Sequence, residues 1–396
     1  MRKLPVALAR LTFAISAPVI AALGWGGGVA GIAGIVSLGS PAPVQAIDFV
    51  VTRYDDPFAE GCAVGNCSLR EAIQDANAAP GLDRVLLSAG SYELTRFGDD
   101  DDGELGDLDV FDEVEIVGPG ATMTQIDAAP LGTLSDEPVL QVFGTATVRG
   151  ITLTGSHAEG IKVSGGNLTL LASEIKNNDF QGNAAGVSAA GGGTIVVRDS
   201  AIINNGSGLN AVNVSVTMEN VTLTRNGQNQ IIVQNGAELT CIHCTVLETP
   251  GGNPEVRVGS STIKFQNSIV RGECEKIDSG GVLTSLAGNV ESPGHGCGFT
   301  LADDRDDIAD PGLSALGDHG GPTRTFDLVA TSPAVDLVEA AECSLHDQRG
   351  VARSFHFQLP CDAGAVERVI LRQRTPIFAD GFQQSDGEAW SSVVGG

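Results

Sequence analysis

One stretch, Ala146 to Arg271, repeats itself, and that repeat restricts the fold more than any other property of the chain. Val148, Leu170, Val197, Met218, Cys241 and Phe265 form one column. Two residues earlier stand Ala146, Leu168, Ile195, Val216, Leu239 and Ile263. Three residues later come Ile151, Ser173, Ser200, Val221, Cys244 and Ser268, and five later Leu153, Ile175, Ile202, Leu223, Val246 and Val270. Successive members of the last column are 22, 27, 21, 23 and 24 residues apart. Small or apolar residues in every register at such a period mark a stacked solenoid, in which each unit buries its apolar face only against its neighbours.

Positions two apart share a strand face, so the first two columns point inward from one strand and the last two from another. A gap of three would flip the face of a straight strand, so the chain must bend between them. Gly150, Ala172, Asp199, Asn220, His243 and Asn267 occupy that bend, and Gly, Asp and Asn tolerate tight turns. A third short strand precedes most units, as in Ile161-Lys162-Val163, Ile231-Ile232-Val233 and Val256-Arg257-Val258. Three short strands per unit with no helix-length gap predict an all-β parallel β-helix, its coils about 4.8 Å apart.

The N-terminus reads as a targeting segment. Arg2, Lys3 and Arg10 precede a long apolar run, and Val44-Gln45-Ala46 offers small residues for cleavage, so 1–46 reads as a Sec-type signal peptide. No later stretch is apolar enough for a membrane span. Removing that segment takes three positive charges and no negative one, leaving 20 Lys and Arg against 49 Asp and Glu, a net −29. Such a surface disfavours nucleic-acid binding and docking on anionic membranes. All eight cysteines (Cys62, Cys67, Cys241, Cys244, Cys274, Cys297, Cys343 and Cys361) follow the signal, as befits an oxidising compartment. Eight cysteines allow 105 pairings. The sequence-local choices are Cys62–Cys67, Cys274–Cys297 and Cys343–Cys361.

Ser68 and Glu71 form a capping box, and Leu69, Ala72, Ile73 and Ala76 make one apolar face. The result is a short amphipathic helix suited to covering the open end of the solenoid. The run Cys67-Ser68-Leu69-Arg70-Glu71-Ala72-Ile73-Gln74-Asp75-Ala76-Asn77 resembles the N-terminal motif of secreted bacterial CSLREA-domain proteins, which implies a right-handed parallel β-helix to follow. Gly106-Asp107-Leu108-Asp109-Val110 and Val114-Glu115-Ile116-Val117-Gly118 are similar to that family's continuation. Asp310-Pro311-Gly312-Leu313, Gly317 to Thr323, Ser332 to Asp336, Asp347 to Gly350 and Cys361 to Glu367 resemble, in order, the choice-of-anchor Q domain, with His319 where that family usually has Asn. The resemblance implies architecture and export, and brings no catalytic residues. The expected organisation is a signal (1–46), an N-terminal cap (47–113), coils (114–300), an anchor-type C-terminal domain (301–368) and a flexible tail (369–396). That tail is similar to those of some exported Gram-negative proteins, which implies a sorting or anchoring tag, and an exposed flexible terminus is the equal alternative.

Few constellations carry chemistry. Asp99, Asp100, Asp101, Asp102 and Glu104 gather hard oxygen ligands that suit Ca²⁺, although the spacing is not that of an EF-hand and a run of like charge also marks a solvated loop. The outward columns Thr147, Thr169, Val196, Thr217, Thr240, Lys264 and Thr152, Glu174, Ala201, Thr222, Thr245, Ile269 read as exposed, threonine-rich surfaces without a stacked acid pair. Arg198 and Asp199 stack over Glu219 and Asn220, the best acidic cluster for catalysis, though an exposed ion pair of the kind ordinary surfaces carry is the better account of it. Gly294-His295-Gly296 resembles a short motif of polygalacturonases, but stands without the paired Asp and the basic motif of those enzymes, and chance explains it better. In Cys241-Ile242-His243-Cys244 the cysteines face inward and His243 outward, which excludes a shared zinc ion and leaves a small disulfide or two core thiols. The sequence therefore reads as an exported, non-catalytic scaffold, secreted or on a bacterial cell surface, for adhesion or binding of extracellular polysaccharide or host glycan. The alternative is a polysaccharide lyase or glycoside hydrolase acting on acidic polysaccharide.

Overall fold

The computed structural model describes residues 46–98, 103–132, 135–179, 182–247, 254–353 and 359–368. The expected signal segment up to residue 45, the acidic positions 99–102 and the 369–396 tail lie outside the described residues. Among the described residues the strands form three parallel sheets of ten, nine and eight strands, and the chain visits them in strict rotation from Asp83 to Ser292. The predicted columns are the observed registers. Ala146 pairs with Leu168, then Ile195, Val216, Leu239 and Ile263, all on the ten-stranded sheet and all buried.

From Gly150 to Asn267 each coil turns from the ten-stranded to the nine-stranded sheet at one residue in the left-handed region. The φ values are 66° at Gly150, 49° at Ala172, 51° at Asp199, 54° at Asn220, 49° at His243 and 53° at Asn267. The conformation costs an L-residue about 1–2 kcal/mol. The next residues offset that cost, because the serines in the otherwise apolar column cap backbone N–H groups of the preceding coil. Ser173 Oγ accepts from Ile151 N at 3.3 Å, and Ser200 Oγ from Ser173 N at 3.2 Å. They are polar because the bend leaves donors inside the coil.

A second ladder closes the far end of the nine-stranded sheet. Asn178 donates to Asn205 Oδ1 at 3.0 Å, Asn205 to Asn226 Oδ1 at 3.1 Å, and Asn226 to Gln230 Oε1 at 2.6 Å. All three asparagines are fully buried, and the same oxygens accept the backbone N–H of Asn178 and Asn205.

The solenoid begins upstream of position 114. Asp48–Val50 pairs with Asp83–Leu86, which pairs with Glu113–Val117. Between them, helix α1 (Leu69–Ala78) starts at Ser68 with both halves of the capping box formed, and lays Leu69, Ala72, Ile73 and Ala76 on the first coils. Arg70 is also buried. Its guanidinium meets Asp56 at 2.8 Å and donates to the carbonyls of Gly103, Gly106 and Asp107, fixing the loop that precedes Leu108–Val110.

Residues from about 310 to 353 and 359 to 367 lie along the nine-stranded sheet and change the reading of one face. Thr152, Glu174, Ala201, Thr222, Thr245 and Ile269, expected as an open surface, are all buried. Arg324 reaches Glu174 at 2.7 Å, Gln348 accepts from Thr222 Oγ1 at 2.7 Å, and Ala365 N donates to Thr245 Oγ1 at 2.9 Å. Leu328, Ala334, Val338, Cys361 and Ala363 pack with Ile269 and Val290 in a second apolar cluster. Gly364 crosses at φ 89°, where a Cβ would stand 2.7 Å from Ile269 Cδ1. The correction has a simple cause: a column of threonines suits a buried polar seam as well as an exposed one, provided a partner supplies the hydrogen bonds.

Removing one rung of the asparagine ladder leaves buried donors unmet. Asn205→Ala is expected to lower stability by about 1–3 kcal/mol per orphaned group. Thermal or urea unfolding measures it, and an unchanged midpoint would contradict the ladder's role.

Candidate functional site

The sequence-derived acidic cluster lies on the seam with the C-terminal segment. Arg198 Nε stands 3.3 Å from Glu219 Oε2. Glu219 Oε1 accepts from Ser344 Oγ at 2.6 Å, Asp199 Oδ1 accepts from Asn220 Nδ2 at 3.1 Å, and His346 Nδ1 lies 3.7 Å from the same oxygen. Asn220 also donates to His346 O and accepts from Arg353. These contacts are of docking type, joining coil bends to residues 344–353.

His243 completes the seam. The sequence places it outward, and it is indeed outside the coil, yet it is fully buried beneath the C-terminal segment. Nε2 lies 3.2 Å from Asn267 Nδ2 and accepts from Ser344 N at 3.4 Å. Burial first, then the neighbouring Arg353 cation, hold its pKa well below that of an ordinary histidine. The neighbouring Cys241 and Cys244 form a disulfide with Cα atoms 5.8 Å apart, and disulfides also join Cys62–Cys67, Cys274–Cys297 and Cys343–Cys361. Four disulfides suit an oxidising compartment.

At the other end, Glu104 is exposed, and the four aspartates expected beside it as calcium ligands lie outside the described residues. Just downstream, both carboxylate oxygens of Asp107 are buried without a hydrogen bond among the described residues. Burial, Asp109 and Glu137 push Asp107 up to about 9, so it is a neutral carboxylic acid at pH 7. Among the described residues no group of three or more His, Cys, Asp or Glu is placed to hold a metal ion.

A different acid–base group sits where the solenoid ends. Glu291 pairs with Val270 and thereby continues the inward column Leu153, Ile175, Ile202, Leu223, Val246, Val270. A carboxyl group thus takes a core position in the last coil, 1% exposed. Its Oε1 accepts from Cys297 N at 3.0 Å, while Oε2 is buried with no partner among the described residues. Burial raises its pKa, against the pull of the Cys297 and Gly296 N–H groups. Around it opens a cleft of about 440 Å³ lined by Glu273, Glu291, Pro293, His295, Asp307 and the Cys274 end of the disulfide to Cys297, among others.

His295 stands over this cleft, mostly exposed, with Nδ1 2.8 Å from Asp306 Oδ2 and Nε2 3.8 Å from Asp307 Oδ2. The hydrogen bond to Asp306 raises its pKa above the usual histidine value. Asp307 accepts from Gly294 N at 3.2 Å, which ties the two strands of this loop together. Sequence reasoning sets Gly294-His295-Gly296 aside because it lacks the paired Asp and the basic motif of polygalacturonases. Two aspartates, 11 and 12 residues later, are brought beside His295 by the loop. The missed signal is Glu291 itself, a glutamate 21 residues after Val270 in an apolar register.

With this geometry in view, the comparisons take their place. The family model described as a right handed beta helix region matches residues 140–292. The chain is a right-handed parallel β-helix. No curated protein matches it. Among solved structures, the crystal structure of pectate lyase Pel9A is similar, at 14% identity, with 83% of this chain and 98% of that one covered and a TM-score of 0.44. The A-module of the mannuronan C-5 epimerase AlgE4 of Azotobacter vinelandii is similar at 15% identity, over 66% of this chain and 95% of its own, with a TM-score of 0.36.

The seam makes a prediction about pH. His243 is neutral when folded and takes up a proton near pH 6.5 when unfolded. Its depressed pKa therefore contributes nothing unfavourable above that pH and destabilises the fold as pH falls below it. His243→Asn, which also tolerates the left-handed bend, is expected to lose less stability than the parent between about pH 6.5 and 5. Melting curves across that range check it, and parallel pH profiles would contradict it.

Proposed function

We propose that this is an exported β-helix protein that hydrolyses polysaccharide in the cleft at the C-terminal end of its solenoid. The observation that carries the reading is Glu291, a carboxyl in a core register that borders the cleft and whose second oxygen is buried without a partner among the described residues. Burying an unpartnered carboxyl disfavours its charged form and stabilises nothing, so a group kept in this state is a candidate proton donor. Glycoside hydrolysis needs one carboxyl held in its acid form and a second left ionised.

Glu291 supplies the first. Asp307, exposed on the same cleft, supplies the second. In the proposed reaction Glu291 gives its proton to the glycosidic oxygen as the bond to the anomeric carbon breaks. Water adds to that carbon and loses its proton to Asp307, and Glu291 is reprotonated from solvent. His295, held by Asp306, is a positioning residue whose other nitrogen lies 3.8 Å from Asp307, which Gly294 N holds in place.

A second reading, a non-catalytic scaffold for adhesion or glycan binding, is favoured by the ten-stranded sheet. Its outward column Thr147, Thr169, Val196, Thr217, Thr240 and Lys264 is in register and uncovered by the C-terminal segment, presenting hydroxyls at rung spacing. A sugar polymer bound there would be held without being cut.

The two readings part at Glu291. Glu291→Gln keeps the acceptor for Cys297 N and the side-chain volume, so the melting temperature is expected to hold, while release of reducing ends from a mixed panel of polysaccharides falls about 10²–10⁴-fold. Because the Glu291 pKa is raised, parent activity is expected to persist above ordinary carboxyl pKa values and to fall as pH rises through the Glu291 pKa. A panel on which the parent releases no product would sink the hydrolytic reading.

A further inference from the structure

We infer that the cleft takes a cationic polysaccharide, a polymer of amino sugars with free ammonium groups, and not the acidic polysaccharide that its architecture suggests. This rests on the functional reading of the same cleft and adds the charge class of its ligand. The argument is electrostatic. Glu273 and Asp307 line the cleft as carboxylates beside the acid-form Glu291 and Asp306 stands behind His295, whereas no Lys or Arg is among the lining residues. The one basic side chain of the lining, His295, lies between two carboxylates, 2.8 Å from Asp306 and 3.8 Å from Asp307. Any charge it takes up is therefore answered before a ligand arrives.

Glu273 and Asp307 are exposed, so their charges face whatever enters. A polyuronate would bring one carboxylate per sugar against them. Recognition of such a chain needs cationic partners or a bridging metal ion, and among the described residues no three-ligand metal group exists. An ammonium-bearing sugar meets the opposite situation, with carboxylates on the walls and a chain whose net charge of −26 draws polycations towards it. Like-charge repulsion then works as a filter against acidic polymers.

Overall charge alone would draw any polycation, so the test must separate the cleft from the surface. Titration calorimetry of the full-length protein with a β-linked glucosamine oligosaccharide, its N-acetylated neutral counterpart and an oligogalacturonate, each with and without CaCl₂, supplies the comparison. Glu273→Gln with Asp306→Asn removes two cleft charges, and Glu113→Gln with Asp136→Asn removes two exposed charges outside the cleft lining. The glucosamine oligosaccharide is expected to bind, to weaken with added salt, and to lose about tenfold in affinity in the cleft variant and little in the remote one. Equal loss in the two variants would reduce the effect to surface charge and overturn the inference. Preference for the galacturonate, with or without calcium, or equal binding of the neutral sugar would also overturn it, while leaving the hydrolytic reading in place. If none of the three sugars binds and no polysaccharide is cut, the functional reading itself fails.

Discussion

Each coil of this molecule has most of its backbone N–H and C=O groups satisfied by the coil before it and the coil after it. Sideways pairing of this kind, repeated through three parallel sheets, is the constraint from which the rest follows. It requires every coil to close to the same path, and the bend into the nine-stranded sheet therefore adopts the left-handed region at Gly150, Ala172, Asp199, Asn220, His243 and Asn267 alike. It also requires interior polar atoms at the bends to find partners along the stack, which is why serine and asparagine ladders run through an otherwise apolar core.

A stack has two ends and three faces, and the chain treats them differently. Helix α1 closes the first end with an apolar face and the buried Arg70 fork. Part of the nine-stranded face is covered by residues from about 310 to 353 and 359 to 367, whose hydrogen bonds take up Thr222, Thr245 and the Glu174 carboxylate. At the second end, Phe299 meets Phe265 edge-on with centroids 5.5 Å apart and seals one part of the interior. Beside it the core register holds Glu291 instead of an aliphatic side chain, buried beneath a cleft that it helps to line. Function is therefore sought where the repeat stops.

The repeat was legible because core spacing is a local property of sequence. The four inward columns, the bend between them and the capping box of Ser68 and Glu71 all stand in the structure as registers, left-handed residues and a formed cap. The asparagine ladder was legible in principle, since Asn178, Asn205 and Asn226 each follow the last core column by three residues. The covered face was not, because a threonine column carries no mark of what lies upon it, and its partners come more than 100 residues later. Asp199 and Glu219 stood out through charge on adjacent coils, but their further partners, His346 and Ser344, belong to that same distant segment. Glu291 went unread because the columns traced in the sequence stop at Val270, and it is the next member of an apolar column.

The central claim is that sugar chemistry belongs to the end of the solenoid and not to its flat faces. The most direct measurement is a crystal structure of Glu291→Gln soaked with a glucosamine oligosaccharide. Sugar rings in the cleft, with the bridging oxygen against residue 291 and Asp307 beside the anomeric carbon, are the expected result. Sugar lying along the Thr147 to Thr240 column of the ten-stranded sheet, with the cleft holding only water, would contradict the claim.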